Sequence, residues 1–481
     1  MDPMTTATSP LAGARGPSWG PAAAATAGVG FALLVGLTAG SEVAVARVML
    51  VLATGGVAIA MVLRWPVLGF HALAASSVLL VAVTLIGSRA VNAFDVLLVP
   101  ALAVTWWRTA RSASRPAAGE SGAEAEINIA RSRLVRATLA YLVLAGLSLG
   151  MTVLLGRLDG AVQSALSLVR AVQGVLLFPL AMAWLRDGRS LKRAVAALLT
   201  GGAGFALVNA LAVGSGSVAR AGLTWYANEP LWSVADPNEA GTAMLLLWVL
   251  LLSWHATRPR WWHLPALGVA LFMLVLTQSR SGLLAWLVFT ALSLKPGQRR
   301  YAMLFPLLAL AALPLVPTTY WERLTRTLLF ERGSFEAFSS FIRVYGWQIA
   351  VQMFLDHPMF GVGYLGFRHF ADRYSDLGLV LGQAESMYLE TAAGMGLIGL
   401  WAFGVALRRL WCLADPVRRH APPGSFAARL AAFHRPYVAG LLAALITSSH
   451  LVGMVGLAQI ALWSALLVRA GRMAAAGDPD A

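Results

Sequence analysis

The chain has 481 residues, of which 58% are hydrophobic and only 12% are charged, and its mean hydropathy is +0.70. Soluble domains carry about 25% charged residues, so this composition excludes an ordinary soluble fold and indicates a protein that lies in lipid. The net charge of +15 is spread over short loops, which membrane topology explains better than nucleic-acid binding does. The one cysteine, Cys412, excludes intramolecular disulfides and cysteine-based metal clusters.

Successive apolar runs separated by short polar breaks predict an all-α polytopic membrane protein, a bundle of about 12–14 transmembrane helices with one large periplasmic loop. The predicted spans are residues 22–40, 43–63, 66–86, 90–107, 135–155, 161–185, 194–213, 238–255, 261–278, 282–296, 301–317, 389–408, 436–452 and 453–470. The predicted regions are a cytoplasmic tail at 1–21, a helix bundle at 22–316, a periplasmic catalytic loop at 317–388, C-terminal transmembrane helices at 389–470 and a cytoplasmic tail at 471–481.

The basic clusters orient this predicted bundle. Many arginines and both lysines, Lys192 and Lys295, fall in alternate loops, and a cytoplasmic N-terminus places those loops inside. The loop at 317–388 is then periplasmic. Loops of that length are usually functional or disordered, and the many aromatic side chains in this one favour a folded structure.

An amphipathic helix is predicted within that loop, at residues 340–356. Such a helix can lie along the membrane surface with its apolar side chains in the lipid. The side chains predicted to anchor it are Phe341, Tyr345, Ile349 and Phe354.

Arg170 lies deep inside the predicted span 161–185. A cation at the centre of a membrane helix costs about 2.5–3.5 kcal/mol on insertion scales, so a functional reason for it is expected. One interpretation is an anionic substrate group that meets Arg170 in a wet cavity. The alternatives are a buried ion pair or a side chain that reaches a membrane surface.

The start of one predicted span and the end of another, both on the predicted outer side, carry polar motifs. Asp236-Pro237-Asn238-Glu239 has the residues of a helix N-terminus, and Asn238 could also point into a cavity. Arg280 lies between two serines before a glycine, which suits a phosphate because guanidinium and hydroxyl donors flank a tight turn. The structural alternative for that second motif is an interfacial arginine followed by a glycine turn.

The predicted loop contains three further motifs. Arg343 is followed by Trp347, Asp356-His357-Pro358 opens a glycine-rich stretch, and Glu385 and Glu390 flank the start of the next span. Taken singly, each has a structural explanation: a turn for the glycines, and the helix dipole for the two acids. The sequence has no phosphate-binding Walker loop and no HExxH or GxSxG motif, so it predicts neither a soluble-type nucleotide site nor a metal.

Taken together, these motifs resemble the O-antigen ligase/polymerase superfamily of bacterial envelope glycosyltransferases. The resemblance covers residues 230–400. It rests on the order of Asp236 to Asn238, Ser279 to Gly282, Arg343 with Trp347, Asp356 to Gly363, Glu385 to Leu389, and Gly396 to Gly399.

The resemblance implies a metal-independent, inverting glycosyltransferase of the GT-C type without a cofactor. Its donor would be an oligosaccharide on undecaprenyl pyrophosphate, its acceptor a glycan or a lipid-linked glycan, and other polysaccharide-assembly proteins are conceivable partners. It implies a multi-pass protein of the bacterial inner membrane that contacts membrane lipid, binds no nucleic acid and has its active site on the periplasmic face.

Roles follow from this chemistry. Arg280 and Arg343 would stabilise the departing diphosphate, and Glu385 would be the general base. The residues expected to bind substrate are Arg170, Ser279, Ser281, Asn238, Trp347, His357 and Tyr388, with His357 also a rival base.

One departure from the family pattern separates two activities. Ligases of the family resemble one another in a His-Asn pair after the large loop, where this chain has Glu385-Ser386. That difference favours a polymerase of O-antigen, capsule or exopolysaccharide repeat units over a ligase that attaches glycan to lipid A-core. A secondary transporter of an anionic solute is the alternative from another class, but the sequence has no internal repeat of the kind that transporters often show.

Overall fold

The computed structural model describes residues 66–79, 81–86, 89–92, 97–98, 100–105, 122–214, 232–234, 237–277, 279–295, 298–312, 321, 325, 335–379, 381–449 and 454–478. The predicted spans 22–40 and 43–63 lie outside these residues, as do Asp236 and the tail at 1–21. The α-helices with both ends described are α1 (Pro66–Leu79), α2 (Gly122–Leu154), α3 (Leu158–Trp184), α4 (Gly188–Gly214), α5 (Pro237–Thr257), α6 (His263–Thr277), α7 (Arg280–Ser293), α8 (Arg299–Ala302), α9 (Leu304–Ala312), α10 (Phe335–Asp356), α11 (Phe367–Phe370), α12 (Met387–Trp411), α13 (Asp415–His420), α14 (Phe426–Ala444) and α15 (Met454–Ala475).

The predicted all-α architecture of a polytopic membrane protein is confirmed. By length and composition, four helices among the described residues can cross a membrane: Gly122–Leu154, Leu158–Trp184, Asn238–Thr257 and Met387–His420. A bilayer core of about 30 Å needs about 20 residues of helix. The first three segments provide this as single helices, and the fourth runs through α12, which has a break at Gly396, and α13. Further apolar helices are shorter, and one predicted span, 301–317, is divided between α8 and α9.

A small antiparallel sheet replaces part of two predicted spans. Its strands are β1 (Val81–Ile86), β2 (Arg89–Asn92) and β3 (Trp232–Val234), in the order β2-β1-β3. The predicted helical spans 66–86 and 90–107 are therefore wrong at residues 81–86 and 90–92, which form strands. The run in β1 is rich in β-branched residues, which favour strands, and hydropathy alone does not distinguish the two conformations.

The core of the bundle lies where α5, α7, α14 and α15 meet. Trp248, Trp286 and Trp463 are fully buried there. Glycines let the helices approach closely, since a Cβ added at Gly241 would lie 3.1 Å from the Cα of Gly282. Small residues at helix crossings are the usual means of close packing in a membrane, where lipid is as apolar as the protein interior.

α12 is broken at Gly396, and the backbone around this break forms hydrogen bonds with the glycine-rich stretch of the loop at 358–363. Gly396 has φ 62° and ψ −158°, a conformation essentially restricted to glycine. The amide of Leu397 donates to the Pro358 carbonyl at 2.7 Å. In return, Gly363 donates to the Gly394 carbonyl at 2.7 Å. The backbone groups freed by the break are thus bonded to residues 358–363.

The loop has its own small core, as its aromatic content predicts. Ile349, Phe367, Phe370 and Ala384 are all buried together. Residues 340–356 are helical as predicted, but Ile349 is 1% exposed and faces this core, so it does not anchor the helix to lipid. Phe341, which is 47% exposed and stacks on Tyr345, lies on the outward side.

Different segments of the chain contact one another at the two ends of the bundle. Predicted outer connections contact one another in the pairs Arg280 with Ser340, Ser148 with Tyr364, and Leu445 with Met387. Predicted inner segments do the same in the pairs Glu126 with Arg419, Gly188 with Asp478, and Gln298 with Ala432. The candidate residues of the loop therefore lie at the end opposite to Glu126 and Asp478.

Candidate active site

Arg280 is the first residue of α7, and the residues around it fix the start of that helix. The Ser279 hydroxyl accepts a hydrogen bond from the Gly282 amide at 3.0 Å, which is an ordinary N-cap. The Asn238 side-chain oxygen accepts from the Ser279 hydroxyl at 2.9 Å and from the Ser281 hydroxyl at 2.7 Å. Helices α5 and α7 are therefore joined on both sides of Arg280.

These contacts bear on three residues predicted to bind substrate. Ser279 and Ser281 are 5% and 2% exposed, and both hydroxyls bond to Asn238. The geometry favours a role in positioning Arg280. Direct contact of these three side chains with substrate stays a prediction.

The guanidinium of Arg280 reaches the loop. Its Nη1 donates to the Ser340 hydroxyl at 3.1 Å, and its Nη2 approaches the Ser339 hydroxyl at 3.3 Å. Both serines belong to α10, so the arginine side chain links a helix of the bundle to the loop helix. Both of these acceptors are neutral hydroxyls, and a guanidinium has five N–H donors in all.

Arg343 follows Ser340 by three residues on α10, which places the two on one face of the helix. Its Nε lies 3.7 Å from the Glu385 carboxylate, and the two side chains are 23% and 24% exposed. Both groups are thus partly shielded and open to solvent on one side. Arg280, Arg343 and Glu385 are brought together along about one turn of α10.

Glu385 has an unusual backbone conformation, with φ +53°. Non-glycine residues seldom occupy this left-handed region, and the strain costs about 1–3 kcal/mol. Its carboxylate accepts a hydrogen bond from the Gln383 amide at 3.1 Å, and the Gln383 oxygen accepts from the Ser449 hydroxyl. The segment at 383–386 is therefore held by contacts on both sides of a strained residue.

Glu390 supports the same segment from within α12. Its carboxylate accepts from the backbone amide of Ala384 at 2.9 Å, and the side chain is only 3% exposed. A buried carboxylate is costly and is kept where its hydrogen bonds matter. By holding the residue before Glu385, Glu390 is a candidate positioning residue.

Tyr388 and Trp347 differ in what they offer a ligand. The Tyr388 hydroxyl donates to the Leu442 carbonyl at 3.0 Å, so it ties α12 to α14. Trp347 lies one turn beyond Arg343, and its indole N–H is buried with no hydrogen-bond partner among the described residues. An indole donor normally finds a partner when buried, which makes Trp347 the stronger candidate for ligand binding.

His357 is separated from the arginine–glutamate group. It directly follows α10, and the rise of that helix places it about 20 Å from Arg343. Arg170 lies on the exposed side of α3, with Leu166 and Val169. Substrate binding by either residue stays a prediction.

The loop docks on the turn between α2 and α3. Arg157 forms an ion pair with Asp372 at 2.8 Å, and Thr152 donates to the Val362 carbonyl at 2.9 Å. His369 lies over Gly160, where an added Cβ would come within 2.7 Å of the imidazole. Burial, then the charges of nearby arginines, lower the pKa of His369 below its usual 6.5.

Sequence reasoning missed several contributors to the site. Ser339, Ser340 and Gln383 carry no motif, and only their spacing from Arg343 and Glu385 could have drawn attention to them. Glu390 is explained by its position near a helix N-terminus, where acids are favoured, so the sequence gives no sign of its bond to the backbone amide of Ala384.

Comparison with known proteins bears on this region of the chain. No curated protein sequence gives a significant match. A family model described as O-Antigen ligase matches residues 265–404, a segment that contains Arg280, Arg343 and Glu385. This match supports the resemblance of the chain to the O-antigen ligase/polymerase superfamily.

Proposed function

We propose that this protein is an inverting membrane glycosyltransferase that moves a glycan from undecaprenyl pyrophosphate to an acceptor hydroxyl. The observation that carries the proposal is the ion pair between Arg343 and Glu385, beside the contact of Arg280 with Ser340. Two guanidiniums and one carboxylate within one turn of α10 supply the two functions that such a transfer needs. Those functions are charge stabilisation on the leaving group and removal of a proton from the acceptor.

In the proposed reaction, the acceptor oxygen bonds to the anomeric carbon as the bond from that carbon to the diphosphate oxygen breaks. The leaving lipid diphosphate takes the bonding electrons, and the acceptor proton passes to Glu385. Attack from the face opposite the leaving group inverts the anomeric centre. Arginine forks suit the diphosphate because their bonds to phosphate are charge-assisted and often bidentate, and we propose that no metal is needed.

The ion pair also suggests what the Glu385 carboxylate binds before the substrate arrives. Arg343 is the cation paired with the Glu385 carboxylate, at 3.7 Å. A diphosphate that binds Arg343 competes with this carboxylate and frees it to accept a proton. Solvent reaches both side chains, each about a quarter exposed, so a polar substrate has access to them.

Within the family, we propose a polymerase that joins repeat units of O-antigen, capsule or exopolysaccharide. The support is the carboxylate of Glu385 at the position where ligases resemble one another in a His-Asn pair. The second candidate is a ligase, which the description of the matching family model favours. The surface glycan profile of a strain that lacks this protein distinguishes the two activities. Single repeat units that remain attached to the core indicate a polymerase, and loss of all attached glycan indicates a ligase.

We further propose that the catalytic loop faces the periplasm of the inner membrane. The support is the positive-inside rule, since the end of the bundle opposite the loop carries Arg419, Arg435 and other basic residues of the predicted inner segments. Lipid-linked donors would then reach the site from the outer leaflet.

The test uses purified full-length protein with a lipid-linked oligosaccharide and no ion gradient. Covalent lengthening of the glycan is expected, and its absence would favour the transporter alternative. We expect Arg280→Ala and Arg343→Ala to lower the rate by about 10²–10³, as loss of a transition-state donor does. Lysine at either position should also be poorly tolerated because it lacks the planar fork.

The matched control for these variants is Asp376→Asn, which changes an exposed acid of the same loop. It should leave the rate within about twofold of the unmodified protein, as expected for a surface position outside the site. Near-normal transfer by both arginine variants, at normal abundance in the membrane, would reject the proposed site.

A further inference from the structure

The turn at residues 358–361, which follows α10 in the loop, lies beside the middle of a membrane helix and not at its end. The Leu397 amide donates to the Pro358 carbonyl at 2.7 Å. Leu397 lies about 15 Å along α12 from the first residue of that helix, Met387, by the helix rise. Because α12 belongs to a segment that can cross the membrane, the turn lies at the depth of the outer half of this helix.

Helix α2 indicates a similar depth. The Tyr364 amide, just after the turn, donates to the Ser148 hydroxyl at 2.9 Å. Ser148 lies about 9 Å along α2 from the last residue of that helix, Leu154. Leu154 and Leu158, on either side of the connection from α2 to α3, are exposed. Exposed apolar side chains therefore extend beyond the level of the turn, as expected where lipid surrounds the helices.

The backbone near the turn is bonded as a position within the membrane requires. Irregular backbone at membrane depth is tolerated only where other parts of the protein supply its hydrogen bonds. The Val362 amide donates to the Ala393 carbonyl at 2.9 Å, and the Val362 carbonyl accepts from the Thr152 hydroxyl at 2.9 Å. The Gly361 amide donates to the His357 carbonyl at 2.9 Å. Helices α12 and α2 thus provide bonds that water provides to a surface loop.

Two apolar side chains of the turn are exposed at this depth. Met359 and Phe360 are 51% and 54% exposed. Helix α12 is buried at residues 391–396, and Leu397 and Trp401, which follow, are exposed. The turn therefore covers part of a membrane helix and continues the apolar surface of that helix with its own side chains.

Helix α10 connects this turn to the candidate active site. At one end of the path, Arg343 pairs with Glu385, two residues before α12 begins. At the other end, Pro358 is bonded to Leu397. Helix α10 therefore descends beside α12 from the site toward the turn. Asp356, the last residue of α10, is charged and exposed, so an apolar segment in lipid can begin only after it.

We propose that Met359 and Phe360 insert among the acyl chains of the leaflet on the side of the candidate active site. Transfer of their apolar surface from water to lipid is favourable and would anchor the loop to the membrane. Lipid is favoured over a second protein because the same apolar surface continues on a helix that can cross the membrane. The inference rests on the fold and not on the proposed transfer reaction.

The experiment places a nitroxide spin label on Phe360→Cys in full-length protein, after Cys412→Ser has removed the native cysteine. The protein is reconstituted in vesicles of phosphatidylethanolamine and phosphatidylglycerol. Oxygen is apolar and concentrates in the acyl layer, whereas a nickel chelate stays in water. Collisions of the label with oxygen should exceed its collisions with the nickel chelate.

Leu377→Cys is the matched control, since Leu377 is an apolar residue of the same loop and is 55% exposed. Its amide donates to the Tyr345 hydroxyl at 3.3 Å, which places it beside the part of α10 that carries Arg343. Collisions with the nickel chelate should dominate there. Trp401→Cys provides the lipid reference, and the label on Phe360→Cys should show the same preference for oxygen.

A label on Phe360→Cys that meets the nickel chelate as often as a label on Leu377→Cys would overturn the proposal. Protection from both reagents would also overturn it, because a protein surface would then cover the turn. Met359→Cys is the second variant, and it should prefer oxygen even if Phe360→Cys does not fold. The readout needs no glycan transfer, so an inactive protein would leave this result unchanged.

Discussion

The two segments that carry the charged groups of the candidate site are built in opposite ways. At 279–282, the Ser279 side chain caps α7 in extended backbone geometry, with φ −81°. At 383–386, Glu385 adopts φ +53°, and the capping residue Ser386 makes no side-chain cap bond among the described residues. One segment is locally relaxed, and the other is held in a strained form by Gln383 and Glu390.

This difference shows how each charge is positioned. Arg280 is directed by its own sequence neighbours, because a serine N-cap fixes the start of a helix from within four residues. Glu385 depends on contacts from α12 and from residues after α14, such as Ser449. Strained residues persist only where surrounding structure determines them, and they often lie at functional sites.

The largest effect that we expect from a residue outside the reacting groups is at Glu390. Glu390→Leu removes the acceptor for the Ala384 amide and should lower the transfer rate about 10²-fold, as a small misplacement of a catalytic group can do. Glu390→Gln keeps an acceptor oxygen and should restore most of the rate. Transfer kinetics and donor binding measured on both variants distinguish positioning from general destabilisation, since a structural role alone would change both together.

Removing the cap of α7 tests the relaxed segment. Ser279→Ala should lower the free energy of unfolding by about 1 kcal/mol and should also reduce transfer, because Arg280 loses its fixed backbone. Ser425→Ala is the matched control, since Ser425 caps α14 by the same kind of bond, to the Ala428 amide at 3.2 Å. Denaturation should show at least as much destabilisation by Ser279→Ala, which also loses the bond to Asn238, and transfer assays should show lost activity only for Ser279→Ala.

Backbone strain at Glu385 can be isolated by two substitutions that both remove the carboxylate. Glu385→Gly permits the left-handed conformation, whereas Glu385→Ala does not relieve it. We expect the glycine variant to be more stable than the alanine variant by about 1 kcal/mol, even though neither transfers glycan. Equal unfolding free energies for the two would mean that the segment relaxes easily, and the contrast with 279–282 would disappear.

A smaller effect is expected from pH at the support of the loop. The pKa of His369 is lowered in the folded protein by burial and then by Arg368 and Arg157. On acidification the unfolded chain binds this proton first, at its ordinary pKa of 6.5, so the stabilisation is complete above pH 6.5 and is lost as the pH falls toward the lowered value.

The unfolding midpoint should therefore decline more steeply below pH 6.5 in the unmodified protein than in His369→Gln, which cannot be protonated in this range. Thermal unfolding at a series of pH values measures this slope. An identical slope in both proteins would contradict the lowered pKa of His369 in the folded protein.

Much of the architecture could be predicted from the sequence because it is set locally. Apolar runs predict the long helices, and the residues of a helix N-terminus predict the start of α5. Which side of a helix faces the interior of the bundle could not be predicted in the same way. Lipid and protein interior are equally apolar, so nothing in the residues around Arg170 indicates which side of α3 faces the bundle.

The contacts that assemble the loop are longer in range. The break at Gly396 and its bonds to residues 358–363 join segments that the sequence shows only as separate glycine motifs. Likewise, the approach of Glu385 to Arg343 requires a backbone conformation that an acidic residue seldom adopts. The sequence indicates candidate residues such as Arg343 and Glu385, and tertiary structure decides which of them meet.

The most direct test of the central claim is to measure donor binding and glycan transfer in the same preparation of Glu385→Gln. This variant loses the base and weakens the competition for Arg343, so we expect a lipid diphosphate donor to bind at least as tightly as before. Transfer should fall by about 10²–10⁴, the usual contribution of a general base. Transfer at a near-normal rate, or a loss of donor binding that accounts for the loss of transfer, would contradict the assignment of Glu385 as the base.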